Sequence, residues 1–148
     1  LAAEIATEDA LQQTTAEQAF ADGERLQKQA TAESLRQAIV KYEQARSLMR
    51  AGGDVRGEAI VLNNIGLAYN SLGERQMALD FFQQALPLLQ AIGDRREEAN
   101  TLNNLGRTHI EMRDLPKALD VFHRARLLAQ AIDDRVGEAA SLANRGSK

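Results

Sequence analysis

The 148 residues include no cysteine, which excludes disulfides, thiolate metal sites and a cysteine nucleophile. Tryptophan is also missing, aromatics amount to 4%, and there are two prolines. Strands favour β-branched and aromatic residues, whereas this chain is heavy in Ala, Leu, Gln, Glu and Arg, which are strong helix formers. An all-α fold with no sheet is expected. No apolar run approaches the roughly 18 residues of a membrane span. Residues 1–6 lack the basic stretch and apolar core of a signal peptide. A dense basic surface is lacking too, since the formal charge is -3, and this argues against a general affinity for nucleic acid. Charge is uneven, with seven acids and four bases in residues 51–100 against six acids and eight bases in 101–148. Either a solvated helix surface or a local basic face explains that shift. The chain opens at Leu1 without methionine and stops just after Gly146, so it reads as a piece of a longer protein.

What is present is a repeated phrase. Leu62-Asn63-Asn64-Ile65-Gly66 returns 40 residues later as Leu102-Asn103-Asn104-Leu105-Gly106, and Leu142 and Gly146 continue the step. Residues 53–92 laid over 93–132 match at 18 of 40 positions without a gap. A period of this size marks stacked copies of one supersecondary unit, none of which buries its apolar face alone. Ala38, Ile39, Tyr42, Ala45 and Leu48 lie 40 residues before Ala78, Leu79, Phe82, Ala85 and Leu88, and these lie 40 before Ala118, Leu119, Phe122, Ala125 and Leu128. Spacings of three and four make each set a helical stripe, so the second helix of every unit is expected to bury this face.

Punctuation repeats with the same step. Gly53-Asp54, Gly93-Asp94 and Asp133-Asp134 separate the units, glycine closing one helix in the left-handed conformation and aspartate capping the next. Asp133 breaks the glycine rule, so a strained or differently shaped turn is expected there. Pro116 suits the first turn of a helix, while Pro87 falls inside a helical run and is expected to kink it. The expected helices are 16–30, 32–51, 55–72, 75–92, 95–113, 116–132 and 135–145: three hairpins and a seventh helix on which Arg145 replaces Ile65 and Leu105. Residues 1–15 form a poorly patterned leader and 16–148 one domain, with repeats at about 16–52, 53–92 and 93–132 and a partial one at 133–148. The first repeat fits least well: aligning Gly23 with Gly66 leaves 15 residues to Ala38 against 12 from Gly66 to Ala78.

Leu62-x2-Ile65-Gly66-x2-Tyr69, followed by Ala78-x3-Phe82 and Ala85, resembles the tetratricopeptide repeat, with leucine in place of the usual tryptophan. The 40-residue period is similar to that of kinesin light chains and Pins-type arrays. The Gly-Asp-Arg junctions and the Asn-Asn-Ile-Gly phrase most resemble bacterial tetratricopeptide proteins with a downstream CHAT domain. HEAT and armadillo repeats share the period range but not the Gly-x2-Tyr and Ala-x3-Phe spacings. The resemblance implies a right-handed α-solenoid whose first helices line a concave groove that takes a protein, a peptide or a neighbouring domain of the same parent chain.

With Leu62, Ile65 and Tyr69 buried, Ile60, Asn63, Leu67, Asn70 and Ser71 face that groove, followed by Asn100, Asn103, Arg107, Ile110 and Glu111 one unit on. Peptide-binding candidates are therefore Asn63, Leu67, Asn70, Asn100, Asn103, Arg107 and Ile110. A carboxamide grips a peptide backbone through donor and acceptor together, and Arg107 suits a carboxylate. Asn63 and Asn103 equally suit bridges between neighbouring helices, and Asn64 and Asn104 point to the adjacent unit. Pins-like repeats carry asparagine just after the glycine, where Leu67 and Arg107 stand, so their specificity is not transferred. His109 takes the packing position of Tyr69, and His123 lies on another helix with no third ligand, which does not make a zinc site. Neither a phosphate loop, a nucleophile motif nor the spacing of a calcium loop occurs. No enzyme activity, cofactor or metal is expected. The competing reading is a structural spacer that self-associates through the end faces of the stack.

Overall fold

A computed structural model describes residues 2–146, with side chains placed for 7, 8, 10, 11, 13–133, 135 and 136. Six helices follow one another: α1 Ala2–Gln29, α2 Ala32–Ala51, α3 Val55–Ser71, α4 Arg75–Ile92, α5 Arg95–Glu111 and α6 Leu115–Gly146. Among the described residues there is no strand. Each helix packs against the next, and α3 also meets α5 directly. The hairpins α1–α2, α3–α4 and α5–α6 are therefore stacked in line as an α-solenoid, with α1, α3 and α5 in one layer and α2, α4 and α6 in the other.

Short junctions set the stacking. Gly53 and Gly93 have φ of 73° and 70°, and the Asp54 and Asp94 carboxylates accept from the backbone N–H of Gly57 at 2.9 Å and Glu97 at 3.2 Å. Each aspartate thereby satisfies a donor that the helix start leaves free. Thr31 and Ser34 form a reciprocal capping box at α2. Inside each hairpin a close glycine–ring contact fixes the crossing. A Cβ on Gly66 would lie 2.5 Å from the Phe82 ring, one on Gly106 2.6 Å from Phe122, and one on Gly23 2.5 Å from Tyr42. The Gly23 contact confirms the alignment of Gly23 with Gly66. Its three extra residues are absorbed by α1 running on to Gln29 and by Ala30 at φ 56°.

Two apolar clusters form the core. The larger joins Leu35, Ile39, Tyr42, Leu62, Ile65 and Leu89, and the second joins Leu79, Phe82, Leu86, Leu102, Leu105 and Val121. Polar links run between units as well. Arg36 meets Glu74 at 2.7 Å, Arg75 meets Glu111 at 3.1 Å and Arg56 meets Asp94 at 3.2 Å. Buried Glu58 is reached by Arg50 at 3.4 Å, and its counterpart Glu98 accepts from Gln90 at 3.1 Å.

Several expectations change. The leader is not a separate segment, because α1 starts at Ala2; alanine, glutamine and glutamate favour helix even without an apolar stripe. Helix α4 runs through Pro87, which is exposed. The turn expected at Asp133 does not form, and the sixth and seventh helices are one, α6. The left-handed conformation costs a non-glycine residue about 1–2 kcal/mol, whereas continuing the helix costs aspartate well under that. The side chain of Arg145 lies outside the described residues. Leu119 does not join the buried stripe: it is 60% exposed where Leu79 is 5%, since nothing stacks on α6 as α5 stacks on α4.

Candidate functional site

Along the seam between α3 and α5 the asparagines act on one another. Asn104 Nδ2 donates to Asn63 Oδ1 at 3.1 Å, and Arg107 Nη2 donates to Asn104 Oδ1 at 2.6 Å. One turn on, Asn70 Nδ2 donates to Thr108 Oγ1 at 3.1 Å, while the Thr108 hydroxyl donates to the Asn104 carbonyl at 2.9 Å. Asn70 Oδ1 is buried and has no donor opposite it. Asn63 thus bridges two helices, the second of its two readings, and Asn104 points to the adjacent unit as expected. Asn63, Asn70 and Arg107 come together on this seam. Arg107 is exposed, and one Nη is engaged, so the rest of its fork remains open.

The other candidates lie apart. Leu67 is half-buried on the α1 side of α3. Asn100 and Asn103 are exposed on the far side of α5, where they border a hollow of about 300 Å3 with Phe122, Ala125, Ala129 and Ile132 of α6. Asn100 also lies 3.5 Å from Glu97 Oε1. Ile110 is 49% exposed. It stands one period after Asn70, whose side chain reaches the following unit, so Ile110 sits on the edge of α5 away from α3. The candidates therefore form two groups, one inside the stack's inner layer and one at its C-terminal end.

A site that the sequence did not single out opens between α1 and α3. Glu24, Gln27, Lys28, Tyr42, Asn64 and Leu67 surround a hollow of about 250 Å3. The Tyr42 hydroxyl donates to Gln27 Oε1 at 2.6 Å. Burial, and after it the Glu24 charge, push the Tyr42 phenol above its ordinary range, with a hydrogen bond from Asn64 acting the other way. Tyr42 is therefore a neutral, fixed donor at any physiological pH. The hollow combines an apolar wall at Leu67, a carboxamide at Asn64 and charges of both signs at Glu24 and Lys28. The only sign of it in the sequence was the Gly23–Tyr42 pair, obscured by its longer spacing.

This chemistry suits binding. No group of three or more metal-ligating side chains occurs among the described residues. His109 is buried in the place of Tyr69, and exposed His123 has its Nδ1 3.1 Å from Arg126. No helix among the described residues is long and apolar enough to cross a membrane.

The tetratricopeptide repeat family matches residues 27–91 and again residues 99–132. The chain belongs to that family. Its solved neighbours agree on the fold at low identity. The tetratricopeptide domain of Arabidopsis FLU is 12% identical with a TM-score of 0.74, over 81% of this chain and 98% of that one. The N-terminal domain of stress-induced protein-1 from C. elegans is 18% identical with a TM-score of 0.66, over 83% and 95%. The apo form of RapI is 21% identical with a TM-score of 0.62, over 72% of this chain but 38% of its own. A search of curated protein sequences finds no match. Tetratricopeptide repeats generally mediate protein–protein interaction and typically serve as non-enzymatic scaffolds, and this repeat array is one of them.

Proposed function

We propose that the inner layer of α1, α3 and α5 holds a segment of another protein, or of a neighbouring domain of the same parent chain. The observation that carries this reading is the α1–α3 hollow, where Leu67 offers an apolar seat beside the Asn64 carboxamide. From there a bound segment runs across α3 to the seam, where Arg107 keeps guanidinium donors free for a carboxylate. Asn70 presents a buried acceptor without a donor, so a backbone N–H of the ligand would complete it. Asn63 contributes by holding Asn104, and through it Arg107, in place. Asn100, Asn103 and Ile110 extend the surface beyond α5.

Selection of random 12-residue peptides displayed on phage against the intact chain tests the reading. Selected peptides are expected to lose at least tenfold in affinity on Leu67→Glu, and peptides carrying an acidic residue about tenfold on Arg107→Ala, or about 1.4 kcal/mol. Helicity is expected to stay unchanged. Peptides that bind both variants as tightly as the parent would reject the groove, and so would a selection that yields none.

A further inference from the structure

The C-terminal end of the stack is an unfinished interface, and residues 133–146 of the same chain carry its complement. Leu119 and Ala129 are exposed on α6, whereas their counterparts Leu79 and Leu89 on α4 are covered by α5. Gln130 is exposed, whereas Gln90 donates to Glu98 on α5. Asn103 is exposed, whereas Asn63 accepts from Asn104. One period after Glu98, Ala99, Leu102 and Asn104, the sequence places Glu138, Ala139, Leu142 and Asn144. Every open position on the end face thus has its partner type in register further along the chain.

Because α6 is a single helix from Leu115 to Gly146, that segment is carried past its own end face. We infer that the end face receives residues 135–146 of a second copy, forming a two-fold swapped dimer. In the stack, α5 runs antiparallel to α4 about the Gly93-Asp94 junction. Two α6 helices laid antiparallel about Asp133-Asp134 reproduce that arrangement on both sides at once, so the interface closes on itself and stops at two copies. Glu138 of each copy then meets Gln130 of the other, Asn144 meets Asn103, and Leu142 covers Leu119. Arg126 and Ala129 stand where α4 has Leu86 and Leu89, so the seat is less apolar and the dimer is reversible. This inference is independent of the peptide groove, which lies on the opposite side of α5.

Sedimentation equilibrium of the intact chain at up to about 1 mM, the weakest affinity class at issue, is expected to show a monomer–dimer equilibrium. Leu142→Glu is expected to shift it at least tenfold toward monomer, and Leu119→Glu likewise. The absence of native cysteine allows a second measurement: Asn103→Cys chains mixed with Asn144→Cys chains are expected to form a disulfide-linked dimer under mild oxidation. A strict monomer, or a dimer that ignores both charge substitutions, would overturn the proposal. So would a doubly substituted Asn103→Cys, Asn144→Cys chain that closes its disulfide within one molecule, because the segment would then fold onto its own end face.

Discussion

The second and third hairpins, α3–α4 and α5–α6, are close to copies in sequence, yet they do not have the same interior. Phe82 is fully buried while Phe122 is half-buried, and Leu79 is covered while Leu119 is not. The residues are the same, and what differs is whether another unit follows. In this fold a leucine's burial is therefore a property of its neighbour as much as of its own helix, as expected where each repeat contacts only the ones beside it. The junctions differ in the same way. Gly93 turns the chain and Asp133 lets it run on, so one glycine decides whether a helix ends.

The comparison is broken most sharply at the rings. Phe82→Ala is expected to cost about 3–5 kcal/mol in chemical denaturation, and Phe122→Ala about 2 kcal/mol, because only the first leaves a closed cavity. Equal costs would show that the two hairpins are packed alike. The first hairpin differs from both by having Tyr42 in the ring position. Its raised folded value stands above the unfolded 10.0, so the folded state keeps a proton that the unfolded chain loses. Stability is then complete below pH 10 and falls as pH rises above it, by at most about 1.4 kcal/mol per pH unit for one group. Tyr42→Phe is expected to flatten that decline in a pH series of urea melts. Some slope remains, since Tyr69 is also raised, first by burial and then by Glu74 and Glu43. The smallest effect concerns Arg113, which has φ 62° where the second hairpin has Gly73 at 80°. Arg113→Gly is expected to stabilise by about 0.5–1 kcal/mol, relief of the left-handed strain outweighing the extra chain entropy.

Much of this was legible beforehand, for physical reasons. The 40-residue step, the glycine turns and the aspartate caps are local, and local geometry needs no knowledge of neighbours. Asn63 was ambiguous because a carboxamide on a first helix looks the same whether it meets a ligand or Asn104, and only the spacing of α3 and α5 decides. The α1–α3 hollow was hidden by the longer Gly23–Tyr42 spacing. Helix α1 begins fourteen residues earlier than the apolar pattern indicates, since its opening is held by propensity and not by a buried stripe. The fusion at Asp133 follows from a competition between two small backbone costs that periodicity does not register.

The ion pairs from Arg36 to Glu74, Arg56 to Asp94 and Arg75 to Glu111 lie largely at the surface. Singly, each contributes no more than about 1 kcal/mol and fades as ions screen it. Together they fasten unit to unit while leaving the inside of each hairpin untouched. Dissolved salt therefore acts on this molecule as a loosening of its joints, softening the array as a whole before any hairpin melts.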